Sequence, residues 1–222
     1  MPPFPFDVVA FDLDGTLADT APDLAAALNH ALGALGRPLV PPESVRHLVG
    51  HGARALLRRG LATSGEAPEA LVDEGFPHFI DYYAANICRG TRPYEGVDAA
   101  LDALAAKEVA LALCTNKPER LTRLLLEALG WSERFDAVVG GDTLTVRKPD
   151  PAPLRQAIAS AGGGAAAFIG DSITDADTAR AAGIPFVAVG FGFSDRPVEA
   201  LGADDVIDDY SRLVETLRRL GR

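Results

Sequence analysis

The segment VVAFDLDGTLADT, residues 8–20, runs from four apolar residues straight into a pair of aspartates. Val8–Phe11 is continuous rather than alternating, which predicts a strand buried on both faces of a sheet. Asp12 and Asp14 follow, two residues apart, at the C-terminal end of that strand. Open α/β sheets bind their ligands at this edge. An Asp-Gly turn by itself would use one aspartate and would not need Thr16.

Further apolar runs follow at Val109–Cys114, Ala137–Val139, Ala165–Ile169 and Phe186–Val189, with a weaker one at Val206–Ile207. Helical patterns fall at Val97–Lys107, Pro118–Leu129, Pro151–Ala161 and Asp177–Ala182. This alternation predicts an α/β fold, a Rossmann-like three-layer core around a parallel sheet with right-handed crossovers. Residues 18–88 break the pattern and read as helices without a strand. Thr20 offers an N-cap hydroxyl with Asp23 three positions on. Leu24, Leu28, Leu32 and Leu35 then give one apolar face, closed by Gly36 and Pro38. Shorter helices are expected near Glu43–Val49 and Gly52–Leu61. Val72, Phe76, Phe79, Ile80, Tyr83 and Ile87 form a last stripe, which Pro77 is expected to kink or restart. Two units result: an α/β core of residues 1–17 and 89–222, and an inserted small helical domain, 18–88.

The chain has 222 residues, enough to bury a core without disulfides or a structural metal. Its 21 basic and 31 acidic residues leave a net charge of −10, which argues against nucleic-acid and anionic-membrane partners. No apolar run approaches the ~20 residues of a membrane span. The first residues lack the pattern of a signal peptide, so a cytoplasmic location is expected. Cys88 and Cys114 make neither a disulfide framework nor a metal-ligand spacing. No G-x-G-x-x-G follows the first strand, which disfavours a dinucleotide enzyme.

Three more segments carry polar residues at predicted strand ends. CTNKP, 114–118, offers the Thr115 hydroxyl and the Asn116 backbone N–H. RKPDPAPL, 147–154, sets Lys148 before a proline-initiated helix. FIGDSITDAD, 168–177, sets Asp171 directly after an apolar run and Asp175 four residues later. Each alone has a bland use as a cap, a turn or a solvated charge. Together they bring Asp12, Asp14, Asp171 and Asp175 to one sheet edge, where they repel unless a cation intervenes. Oxygen ligands without a His/Cys cluster suggest Mg²⁺. With Thr115 and Lys148 as donors to phosphoryl oxygens, the set suits phosphoryl transfer.

In this combination and order, the chain resembles the haloacid dehalogenase superfamily of aspartyl-phosphate phosphotransferases. DLDGT (12–16), Thr115, Lys148 and GDSITD (170–175) match its four motifs. The inserted helical segment looks like that superfamily's small α-helical cap of the C1 type. TNKP, RPYEGV (92–97), KPDPAPL and GHGARALL (50–57) are similar to its phosphoglycolate phosphatase branch, with His51 where asparagine is more often expected. The resemblance implies that Asp12 is the nucleophile and Asp14 the general acid and base. It implies Mg²⁺ held by the Asp12 carboxylate, the Asp14 carbonyl and Asp171, with Asp175 supporting the shell. Thr115 and Asn116 would bind phosphate, and Lys148 would offset its charge. A phosphatase for 2-phosphoglycolate follows. Phosphatases of sugar phosphates or pyrophosphate and a β-phosphoglucomutase-like mutase remain as alternatives.

A helical cap over the edge would admit small phosphorylated substrates only. Glycines preceding the second predicted helix suit an anion at its N-terminus. Gly52, Ala53 and Arg54 are therefore expected to meet a substrate carboxylate. The assembly is expected to be a monomer or homodimer.

Overall fold

The computed structural model describes residues 3–194 and 196–221. The chain opens with β1 (Val8–Phe11) and the two-residue β2 (Ala18–Asp19). Helix α1 (Ala21–Ala34), a 3-10 segment Pro42–Leu48, α2 (Ala53–Ala62) and α3 (Glu69–Ala85) follow. A second short strand, β3 (Arg92–Pro93), leads back. Strands and helices then alternate through α4 (Val97–Ala105), β4 (Ala110–Cys114), α5 (Glu119–Ala128), β5 (Ala137–Val139) and α6 (Ala152–Ser160). The chain ends in β6 (Ala166–Gly170), α7 (Ile173–Ala182), β7 (Phe186–Val189), β8 (Asp205–Ile207) and α8 (Leu213–Leu220).

Six strands form a parallel sheet in the order β5-β4-β1-β6-β7-β8. They are the six predicted apolar runs, shifted by no more than one residue at an end. Val9 and Phe11 of β1 join a cluster with Leu101 of α4, Leu125 of α5 and Leu217 of α8. Val8 and Ala10 join the opposite cluster with Leu154 of α6 and Ala179 of α7. Alternate strand side chains point to opposite faces, and helices cover both, which gives the expected three layers.

The strand order reverses at β1, with β4 on one side and β6 on the other. Phe11 lies beside Leu113 and Ile169 in register, so the residues just beyond emerge together at this switch point.

Helices α1–α3 build a third cluster. Leu24, Leu28 and Leu32 pack with Leu57 and Leu61 of α2 and with Val72, Phe79 and Tyr83 of α3. Leu121 of α5 joins it, so this helical layer rests on the α/β part just beyond β4. The two chain crossings run side by side: Ala18 pairs with Pro93 and Asp19 with Arg92, antiparallel.

Several local expectations are corrected. The ribbon β2–β3 was not expected, because two-residue strands leave no apolar periodicity to read. Thr20 is the N-cap residue of α1, but its hydroxyl makes no capping bond. Asp23 turns to the returning chain instead, accepting from the N–H groups of Gly90 and Thr91 and from the Thr91 hydroxyl. The long helix α3 does not restart at Pro77 but continues through it, with Phe79 and Tyr83 beyond it anchored in the helical cluster. Helix α7 begins at Ile173, four residues before the expected Asp177. No described helix is long and apolar enough to cross a membrane.

Candidate active site

Asp12 leaves β1 with its backbone N–H bonded to Ile169 O, at 2.9 Å, and its side chain buried at 6% exposure. The chain then turns tightly: Leu17 N and Ala18 N both donate to Leu13 O. Gly15 in this turn has φ +84°, and a Cβ there would lie 2.5 Å from Asp171 Oδ2. Only glycine meets both demands. The turn delivers Thr16, whose hydroxyl donates to Asp171 Oδ1 at 2.9 Å. Phe193 N donates to the other oxygen at 2.7 Å. Asp171 is thus held by neutral donors, and among the described residues no lysine or arginine pairs with it.

Asp175 serves two purposes. Its Oδ2 completes a capping box with Ser172 at the start of α7, satisfying backbone donors that the helix leaves free. Its Oδ1 accepts from Lys148 Nζ at 2.6 Å. Lys148 Nζ also stands 3.0 Å from Asp12 Oδ1, close enough for ion pairing but without hydrogen-bond geometry. That oxygen is buried and makes no hydrogen bond.

The carboxylates of Asp12, Asp171 and Asp175 place one oxygen each within 4.8 Å of one another. Their crowding is visible in their acidities. Burial pushes Asp12 up to about 6; Lys148 opposes this, while Asp175 and Asp14 add to it. Burial, then the charges of Asp175 and Asp12, raise Asp171 well above the usual carboxylate range. Burial disfavours the Lys148 charge, yet Asp12 and Asp175 outweigh it and hold the ammonium above its ordinary range. An orphaned oxygen on Asp12, an Asp171 without a cation and an all-oxygen donor set fit a hard divalent cation.

Beyond the triad opens a pocket with about 450 Å³ of empty space, its mouth included. Asp12, Asp14, Thr115, Asn116 and Lys117 line it from the sheet edge, and Gly52, Ala53, Leu56, Phe79 and Tyr83 from the helical layer. Thr115 Oγ1 accepts from Lys117 N at 3.3 Å. The Asn116 amide ties the two layers, donating to Lys148 O at 3.1 Å and to Gly50 O at 3.3 Å. Its oxygen is buried without a partner. Cys114, the last residue of β4, is buried, and burial pushes its thiol up to about 12.

The structure therefore gathers Asp12, Asp14, Thr115, Asn116, Lys148, Asp171 and Asp175 at one edge, with Gly52 and Ala53 facing them. Arg54 is the correction. Its guanidinium is paired with Glu69 and Asp73 and lies over the Phe76 ring, on the outside of the helical layer. Position 54 lies one residue past Ala53, and a helix turns about 100° per residue. Sequence reasoning also missed three residues. Thr16, in DLDGT, holds Asp171 through its hydroxyl. Lys117, in TNKP, donates to Asp14 Oδ1 at 2.9 Å and to Tyr83 Oη at 2.6 Å. Tyr83 belongs to the apolar stripe of the last predicted helix, and its ring does pack in the helical cluster. A lysine placed two residues after a strand-end threonine was the available signal.

Residues 9–189 match the family described as "Haloacid dehalogenase-like hydrolase". The chain is 44% identical over 210 residues to a protein of Agrobacterium fabrum named phosphoglycolate phosphatase, covering 93% of this chain and 90% of that one. A protein of the same name from Caulobacter vibrioides is 46% identical over 209 residues, covering 91% and 86%. A crystal structure of a predicted phosphoglycolate phosphatase from Haemophilus somnus superposes with a TM-score of 0.89 at 31% identity, covering 96% of this chain and 98% of that one. A match that spans every element from β1 to β7, over the same strand-end residues, has one meaning: the chain belongs to the haloacid dehalogenase-like hydrolases.

Proposed function

We propose that this protein is a Mg²⁺-dependent phosphomonoesterase that hydrolyses 2-phosphoglycolate through a phosphorylated Asp12. The observation that carries the reading is Asp12 itself. It is a buried carboxylate at a pocket floor, with one oxygen free of hydrogen bonds and an ammonium 3.0 Å away. Lys148 keeps it ionised and tempers its repulsion of an incoming phosphate. Asp14 lines the same pocket. In the first half-reaction an Asp12 oxygen forms a bond to phosphorus, and the phosphorus–alkoxide bond breaks. The leaving oxygen takes a proton from Asp14. In the second, Asp14 takes a proton from water as that water attacks phosphorus, and phosphate leaves Asp12 regenerated. Thr115 and Asn116 would hold the phosphoryl oxygens.

Asp12, Asp171 and the Asp14 carbonyl would hold Mg²⁺, with Asp175 behind them. The cation would supply neutralisation of the phosphoryl charge. Residues 18–88 would act as a cap over the pocket, consistent with their separate apolar cluster and their paired crossings at β2–β3. The choice of substrate is supported by the names of the relatives above.

The experiment is phosphate release with Mg²⁺ from 2-phosphoglycolate, sugar phosphates and pyrophosphate, with Asp12→Asn as the blank. The reading expects preference for 2-phosphoglycolate, and acid-stable label on Asp12 after quenching with ³²P substrate. Preference for another ester overturns the substrate. Turnover that persists in Asp12→Asn overturns the nucleophile.

A further inference from the structure

We propose that Lys117 and Tyr83 together form the subsite that recognises the carboxylate of the substrate. The inference deepens the phosphomonoesterase reading and rests on it. Lys117 lies on the loop between β4 and α5 with 4% exposure. An ammonium carries three donors. One goes to Asp14 Oδ1 and one to Tyr83 Oη, which leaves the third. Tyr83 reaches this point from α3. Its oxygen accepts from Lys117, while its own proton is in no hydrogen bond among the described residues. Burial, with the charge of Asp14 nearby, keeps that phenol protonated. Two donors are thus unspent, one from each layer, and both residues line the pocket.

The rest of the pocket leaves an anion little choice. Leu24, Val49, Leu56, Phe79 and Leu121 make its walls apolar, and Lys117 is the single lysine or arginine among its lining residues. A carboxylate stripped of water there requires a cation and hydrogen bonds. The pair is also preorganised, since Asp14 and the packed Tyr83 hold the Lys117 ammonium in place, which lowers the cost of ordering it. Lys117 bonds to Asp14, the side on which the leaving group lies. Lys148 stands between Asp12 and Asp175, the side of the phosphate. The two lysines therefore divide the two ends of a small phosphorylated acid.

The test is calorimetric binding to the full-length Asp12→Asn protein with Mg²⁺. Two ligands are compared: 2-phosphoglycolate, and 2-hydroxyethyl phosphate, which has a hydroxymethyl group in place of the carboxylate. The proposal expects the carboxylate ligand to bind about 10- to 100-fold more tightly, the range for charge-assisted hydrogen bonds. Adding Lys117→Met should abolish most of this ratio, and Tyr83→Phe, a smaller change that keeps the ring, should reduce it severalfold. Equal affinities in the parent overturn the proposal. So does a ratio that survives both substitutions, or an equal weakening of both ligands, which is the mark of a structural role. Should the Asp12→Asn protein show the ratio and lose it on substitution, while the wild type releases no phosphate, the subsite is retained and the phosphatase rejected.

Discussion

Lys148 Nζ donates to Asp175 Oδ1 across 2.6 Å, an ion pair between two almost wholly buried side chains. Asp175 is at the same time half of the capping box of α7, so one carboxylate sets the helix start and the position of the lysine. We expect Lys148→Met to leave three crowded carboxylates without their ammonium. Removing one partner of such a buried pair costs about 3–5 kcal/mol. Urea unfolding in chelator should show a loss of that order, partly recovered with Mg²⁺, and phosphate release should fall by at least ~100-fold.

The acidities of Asp12 and Asp171 predict a pH-dependent effect of the cation. Asp12 is pushed up from 3.8 to about 6 by burial, and Asp171 well above 3.8. Groups raised in the folded state stabilise it as protonated acids. That contribution is complete below the unfolded value and is lost as pH rises through the folded one. Metal-free protein should therefore lose stability from these groups as pH rises through about 6. A cation that occupies the triad competes with those protons. The rise in Tm on adding saturating Mg²⁺ should be larger at pH 8 than at pH 5, at constant ionic strength. An equal rise at both would mean that the cation sits elsewhere.

Thr16→Val isolates the support of Asp171. It keeps the shape of the side chain and removes the donor to Oδ1. Losing one hydrogen bond to a buried carboxylate costs about 1.5–3 kcal/mol. The Mg²⁺ affinity, measured by calorimetry without substrate, should weaken with it.

Arg54→Ala should leave the apparent affinity for 2-phosphoglycolate within about twofold of wild type, because its exposed ion pairs to Glu69 and Asp73 are screened by solvent. A KM increase of tenfold or more would return Arg54 to the pocket.

Gly141, just beyond β5, supports the phosphate side from outside. A Cβ there would fall 2.3 Å from Asn116 O. Overpacking of this kind costs about 1–3 kcal/mol. Gly141→Ala should lower stability in thermal unfolding and raise KM by moving the Thr115–Asn116 backbone.

The strands were legible where burial on both faces wrote a continuous apolar run, throughout β1, β6 and β7, whereas β8, half-buried at Asp205 and Val206, left only a weak one. Asp12, Thr115 and Asp171 were legible because parallel strands end at the same edge. The two-residue ribbon β2–β3 was not, since so short a pair carries no period. Asp23 read as a helix-start residue because its position suits that task. Only the fold reveals that Thr91, 68 residues away, takes its carboxylate.

The sequence by itself determined the strands of the sheet and its acidic edge, because these follow from local apolar patterning and from the polar residues that end each run; the strand order, with its reversal at β1, came from the fold. The tertiary structure alone decided which cations face the pocket. Arg54 and Lys117 both lie near glycine-rich or strand-end turns in the sequence. One turns out to Glu69 and Asp73, and the other is buried between Asp14 and Tyr83. A long cationic side chain goes where its counter-charges stand, and those come from segments distant in sequence. Such partners are set by packing, which no local pattern records.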